Sequence, residues 1–377
     1  MGRKKDGLEL YLHIPFCIKK CDYCDFLSGP STRAGQEAYI YALLREMKAV
    51  SALEKRPVDT VFIGGGTPSV PECDVMEKLL QGMQESFCFQ KDAEITIEAN
   101  PGTLTPKKLE LYRKYGINRI SIGLQSPKDE ELKVLGRIHN YEQFQESYQM
   151  ARAAGFSNIN TDLMFAIPGQ SYEGWMENLR TVAELGPEHI SAYSLIIEDG
   201  TPFSKRELDL PDEDTEYRMY EDTAKVLEEY GYHQYEISNY ARRGQECRHN
   251  EGYWQRKDYI GLGLGAASLI GNERFTNTTD MQEYLENSGI TEQIRNNREI
   301  LTREDEMAEF MFLGLRMTEG VSKAEFQEYF GTAIEKIYGK VLEKYKHQGM
   351  LVEKEDRIFL SRAGIHVSNV VMADFLL

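Results

Sequence analysis

Tyr11-Leu-His-Ile-Pro-Phe-Cys17-Ile-Lys-Lys-Cys21-Asp-Tyr-Cys24 places three thiols within eight residues, directly after an apolar run from Leu8 to Ile14. The run reads as a short buried strand, with Pro15 just beyond it. Closely spaced thiolates wrap one face of an iron–sulfur cluster from a single loop. Four ligands would close a four-iron cluster; three leave one iron free, and the chemistry is expected there. Structural zinc is the main rival, since clustered cysteines in a cytosolic chain often hold it. Zinc usually takes two pairs of ligands, and Cys73, Cys88 and Cys247 supply no second pair. A disulfide framework is disfavoured: no secretory signal precedes the motif, and cytosolic thiols stay reduced.

Working outward, the chain alternates strands and helices. Met1 to Gly7 is polar and is expected to fray. A helical pattern from Gln36 to Leu53 is followed by a strand over Thr60 to Ile63 and the turn Gly64-Gly65-Gly66-Thr67-Pro68. Further strands are expected at Glu94 to Ala99, Arg119 to Leu124, Asn158 to Phe165 and His189 to Ile197, with helices between them. Thr105-Pro106 opens one helix as a cap followed by proline at the first helical position. This alternation predicts an α/β fold with a parallel sheet and right-handed crossovers. Six units are too few for an eight-fold barrel, so a partial open (β/α)6 barrel is expected. Ligands in such sheets gather at the carboxyl ends of the strands. That rule selects the cysteine loop, Gly64 to Thr67, Asn100, Gln125 and the end of strand five.

Residues 1–235 are therefore expected to form the barrel core. Residues 236–300 form a connecting segment carrying His249-Asn250-x-x-Tyr253-Trp254 and the glycine run Gly261-Leu-Gly263-Leu-Gly265. Residues 301–377 form a small winged-helix-like α+β module, with helices over Val321–Phe330 and Ala333–Gln348, a two-stranded wing around Glu355-Asp356, and a last helix from Arg362 to Phe375. Lysine and arginine number 44 against 61 acidic residues, a net charge of −17 that disfavours a general nucleic-acid binder. No apolar run approaches the ~20 residues of a membrane helix, and the cytoplasm is the expected compartment.

The CxxxCxxC spacing, with an aromatic residue before the last cysteine and YLHIPFC leading in, resembles the radical S-adenosylmethionine (SAM) proteins. Within them the chain is similar to the branch that holds oxygen-independent coproporphyrinogen dehydrogenase (HemN) and the HemW haem chaperones. The resemblance implies that Cys17, Cys21 and Cys24 hold a 4Fe–4S cluster whose fourth iron is chelated by SAM. Gly65, Gly66 and Thr67 match the motif at the SAM amino group, Tyr11 a residue contacting cluster-bound SAM, and Glu98 the ribose-binding glutamate. Tyr23, Gly66, Thr67, Gln125, Arg137 and Asp162 match positions that contact a second SAM in HemN. Without a ligand, Asp162 in its apolar strand would still need a partner, and Arg137 could supply one as a structural ion pair.

Two departures separate the chain from HemN and match HemW: Cys24 is followed by Asp25-Phe26 rather than by a further cysteine, and no long extension precedes the first strand. His249-Asn250-x-x-Tyr253-Trp254 resembles a motif typical of HemW proteins, and the resemblance implies haem as cargo. His249 could ligate its iron through a neutral imidazole, or be a hydrogen-bonded core histidine. HemW-like sequences often carry a histidine after the glycine run, where this chain has Gly265-Ala266-Ala267-Ser268. A haem chaperone is thus expected, with oxidative decarboxylation of coproporphyrinogen III as the alternative. The resemblance further implies a flavodoxin or ferredoxin electron donor and a haem-accepting protein.

Overall fold

A computed structural model describes residues 7–377; the amino-terminal stretch expected to fray lies, but for Gly7, outside the described residues. Six parallel strands run side by side in sequence order: β1 (Leu8–Ile14), β2 (Val58–Gly65), β3 (Phe89–Ala99), β4 (Arg119–Gln125), β5 (Ile159–Phe165) and β6 (His189–Ser194). Helices Arg33–Leu53, Cys73–Ser86, Pro106–Lys114, Tyr141–Ala153 and Tyr172–Leu185 make the crossovers. Their starts are locally specified: Thr32, Thr105, Asn140 and Ser171 each accept a hydrogen bond from a first-turn amide.

Side chains alternate between the two faces of each strand. On β1, Leu8, Leu10, Leu12 and Ile14 join the main apolar core with Tyr39, Leu43 and Met47 of the first helix. Glu9, Tyr11 and His13 occupy the other face, in register with Thr60, Phe62 and Gly64 of β2. The pattern continues through Glu94, Thr96 and Glu98 of β3, Arg119 and Ser121 of β4, Asn160 and Asp162 of β5, and His189 and Ser191 of β6. The outer face thus carries the hydrophobic packing, while the inner face is polar where closed barrels usually hold branched aliphatic layers.

The sheet extends beyond the six expected strands. Residues read from sequence as a connecting segment add β9 (Tyr259–Leu262), parallel to β1 with Glu9 opposite Tyr259, and the antiparallel β10 (Ala267–Ile270), β11 (Glu273–Asn277) and β12 (Arg295–Ile300). On the far side, β7 (His233–Gln234) pairs with β8 (Asn239–Ala241), which lies antiparallel to β6. Tyr235 to Ala241 reads from sequence as a further strand and turn, and β8 lies within it; the others are short or lack apolar alternation, so no strand pattern marks them. Helix Arg248–Trp254 contains the His249 motif.

The last module packs helices Arg303–Gly314, Lys323–Phe330 and Ile334–His347 around its own core, with Phe326, Tyr338, Leu342 and Phe375 at the centre. Its wing has three strands rather than two. Val321–Ser322, expected to open a helix, forms β13 against β15 (Arg357–Leu360), which also pairs with β14 (Leu351–Lys354). The final helix is two, Arg362–His366 and Ser368–Ala373, broken at Val367, whose φ of −110° leaves the helical region.

Candidate functional site

At the carboxyl ends of the parallel strands lies a cavity of about 410 Å³, lined by Cys17, Cys21 and Cys24 together with Gly65–Thr67, Glu98, Asn100, Gln125, Arg137 and Asp162. The cysteine loop is fixed by its backbone. Cys17 N–H donates to Gly29 C=O at 2.9 Å, Gly29 N–H to Pro15 C=O at 3.0 Å, and Asp22 N–H to Leu135 C=O at 3.1 Å. His13, inside the YLHIPFC lead, anchors the loop's far end: its Nε2 donates to Leu27 C=O at 2.9 Å, which leaves Nδ1 to accept from the Tyr11 hydroxyl at 3.0 Å. Burial holds the His13 imidazole below its ordinary pKa, which keeps that neutral tautomer.

The glycine turn after β2 packs against this loop. Gly66 N–H donates to Ile14 C=O at 2.9 Å and Thr67 N–H to Phe16 C=O at 2.7 Å. A β-carbon on Gly66 would lie 2.7 Å from the Phe16 carbonyl oxygen, so only glycine lets the two loops close on each other. Beside it, Glu98 accepts from Gly65 N–H at 3.1 Å, and burial together with nearby Asp162 pushes its carboxyl up to about 8. Gln125 ends β4 with φ of 73°, a left-handed conformation costly for a side-chain-bearing residue and found at the site itself.

Arg137 and Asp162 form no ion pair among the described residues. Asp162 accepts from Asn160 Nδ2 at 2.7 Å and Ser121 Oγ at 3.1 Å, and burial raises its pKa. Arg137 reaches Asn100 Oδ1 at 2.7 Å, the Gly123 carbonyl, and Cys21 Sγ at 3.5 Å. Hydroxyl and amide donors therefore meet the need for a partner that the sequence left open to a guanidinium.

Two expected residues are not at the cavity. Tyr11 stands on β1 with its hydroxyl given to His13 and is not among the lining residues. His249 lies at the opposite end of the barrel, 1% exposed and stacked on Phe62, with Nδ1 2.7 Å from Thr60 Oγ1 and Nε2 3.0 Å from the Tyr253 hydroxyl. Both ring nitrogens are occupied, and burial lowers its pKa to about 3, so in this structure it is a core histidine with no free lone pair for iron. Conversely, Ser121, Met164, Tyr193 and Glu198 line the cavity and carried no sequence motif. The strand-end rule reaches Met164 at the end of β5 and, applied to β6, Tyr193; Ser121 lies within β4 and Glu198 beyond β6, where the rule gives no signal.

The thiols line the cavity without gathering at a point: among the described residues no three His, Cys, Asp or Glu side chains are grouped to hold one metal ion. A cubane takes one thiolate at each of several separate corners, so a spread triad suits it. The cavity lies within the ~300–1,000 Å³ of small-ligand sites. The residues present thus fit a cluster with three protein ligands and a small polar companion beside Glu98. Among the described residues no helix is long and apolar enough to cross a membrane.

Comparison with known proteins agrees with this geometry. The radical SAM superfamily model matches residues 11–182, and the HemN C-terminal domain model matches residues 301–367. The chain is 37% identical to the haem chaperone HemW of Bacillus subtilis over 97% of its own length and 98% of the relative's. It is likewise 37% identical to the Escherichia coli haem chaperone HemW, over 99% of both. The solved coproporphyrinogen III oxidase (HemN) of Escherichia coli superposes with a TM-score of 0.88, covering 98% of this chain and 90% of that one, at 24% identity, a likeness of fold.

Proposed function

The chain belongs to the HemW family of radical SAM proteins, and from that premise we propose that it binds haem and passes it to recipient proteins, with a 4Fe–4S cluster and SAM as the control element. The observation that carries this reading is likeness along nearly the whole chain to proteins named haem chaperones, joined to a cysteine loop that offers three sulfur ligands. Cys17, Cys21 and Cys24 would hold the cluster. When bound, cluster and SAM together supply one-electron reductive cleavage chemistry.

The rest belongs to the chain's own residues. The turn Gly65–Thr67 presents backbone to the SAM amino group. Glu98, protonated at neutral pH, both donates to and accepts from a ribose hydroxyl. Tyr23, Gln125 and Asp162, on the same cavity, orient whatever lies beyond. Haem's axial ligand is sought among exposed side chains rather than at His249. Flavodoxin or ferredoxin is the proposed reductant and a haem protein the recipient.

The test is anaerobic reconstitution with iron and sulfide, followed by titration with haem and with SAM. The expected result is a four-iron cluster whose spectrum responds to SAM, haem bound in a defined ratio, and transfer of that haem to an apoprotein. Steady conversion of coproporphyrinogen III to protoporphyrinogen IX would overturn the chaperone reading in favour of the enzyme.

A further inference from the structure

We propose that Asn100 is a positioning residue that sets the reduction potential of the cluster, by aligning one line of hydrogen-bond donors onto two of the three sulfur ligands. The inference rests on the cluster reading above. Asn100 follows directly on β3, which ends at Ala99, and nothing in the functional reading uses it.

Its side chain stands between Thr67 and Arg137. Asn100 Oδ1 accepts from Arg137 Nη2 at 2.7 Å, and Asn100 Nδ2 donates to Thr67 Oγ1 at 2.8 Å. Thr67 Oγ1 in turn lies 3.5 Å from Cys17 Sγ, while Arg137 Nη1 lies 3.5 Å from Cys21 Sγ. A guanidinium has only donors, so the end of the amide facing Arg137 must be the oxygen. The nitrogen is then forced toward Thr67. Once the Thr67 oxygen accepts that N–H, its own proton is left to point at the sulfur, and a thiolate ligand has no proton to offer in return.

The direction of every bond is therefore fixed from one end: Arg137 to Asn100 to Thr67 to Cys17, and Arg137 to Cys21. Room for this arrangement is kept by Gly123, where a β-carbon would lie 2.9 Å from Asn100 Oδ1 and 3.3 Å from Arg137 Nη2. Arg137 is half-buried at the cavity wall, held by Asn100 Oδ1, the Gly123 carbonyl and Cys21 Sγ. The Asn100 backbone is tied as well, its N–H reaching Ser69 Oγ at 3.4 Å.

Hydrogen bonds to cluster sulfurs are among the determinants of potential, because they stabilise the more negative reduced state. Second-shell partners of ligands act the same way on metals generally. Cys24, the third ligand, has no member of this chain on its sulfur, so the donors polarise two corners and not the third.

The experiment is the midpoint potential of the reconstituted cluster in the wild type, in Asn100→Ala and in the near-isosteric Thr67→Val, each checked for iron content and for thermal unfolding before loading. Asn100→Ala should lower the potential, shifting the one-electron reduction equilibrium about tenfold, about 59 mV, with unfolding unchanged. Thr67→Val should move it in the same direction, and the double variant should move it by less than the sum. Equal potentials in wild type and Asn100→Ala at full iron loading, or strictly additive shifts, would overturn the inference and leave the cluster reading intact. If Asn100→Ala does not load, an unchanged potential in Thr67→Val overturns it. A wild type that takes up no four-iron cluster sinks the reading on which the inference rests.

Discussion

Glu94 and Glu98 lie on the same strand and the same inward face, two repeats of the pleat apart, and do opposite things. Glu94, at the lower end of the barrel, accepts from the Arg248 and His249 backbone N–H groups, both at 3.2 Å, and so closes the first turn of the helix that plugs the barrel. Glu98, at the upper end, looks into the cavity beside the cysteine loop. The same contrast holds along β5 and β6. Asn160 is locked to His189 at 2.6 Å, and His189 to the Tyr235 hydroxyl at 2.8 Å, whereas Met164 and Tyr193 line the cavity. Height along a strand, more than residue type or membership of a motif, decides whether a polar group serves a ligand or the fold.

Substitutions at the two ends should separate accordingly. The largest effect is expected at the upper end: Cys17→Ser should leave the unloaded chain folded yet abolish a stable four-iron cluster, read as iron and sulfide content and the visible spectrum. At the lower end, His249→Ala strips partners from Thr60 and Tyr253 and empties a packed site. It should cost on the order of 3 kcal/mol in denaturant unfolding while haem binds with the same affinity and spectrum. A changed Soret band in that variant would break the comparison, because it would place the lower end in the haem site.

A pH profile sharpens it. Glu9 is 1% exposed with neither carboxylate oxygen hydrogen-bonded among the described residues, and burial raises its pKa to about 8 against Lys257, with Glu94, Asp59 and Arg248 also facing it. A raised folded-state pKa keeps the group protonated in the native state, while the unfolded chain ionises it near its ordinary value of 4.5. Stability from this group is therefore full below that value and lost as pH rises toward about 8. Between the two, one group contributes a slope of up to about 1.4 kcal/mol per pH unit. Glu9→Gln should remove that increment from the pH profile of unfolding, and an unchanged slope would show that Glu9 is hydrated.

Much of the upper end was legible in the sequence. The cysteine spacing and the glycine turn announce themselves because each needs a particular residue type at a particular offset, whereas Glu98 is marked only by the family resemblance. The βα repeat was legible for the same reason, since long apolar strands and capped helices leave periodic traces. What escaped was written in short or irregular pieces. β9 and β10 hold four residues each, β12 reads Arg-Asn-Asn-Arg-Glu-Ile with no apolar alternation, and β13 holds two residues before a helix. Ser121 acquires meaning only from neighbours on other strands, and Asn100, selected by the strand-end rule, acquires its partners only there. For His249 the sequence left a haem ligand and a hydrogen-bonded core histidine both open, because its motif marks a residue type without saying which end of the barrel it will occupy.

The placement of β9 carries a consequence for how the protein is made. β1, which leads directly into the cysteine loop, lies between β2 and β9, and its pairing of Glu9 with Tyr259 joins the start of the chain to its late middle. During synthesis the nascent strand thus waits with one edge bare until most of the polypeptide has left the ribosome, and such distant pairings form slowly. Until then the strand that leads into the cysteine loop stays open on one side, so that edge of the barrel is completed late in biogenesis.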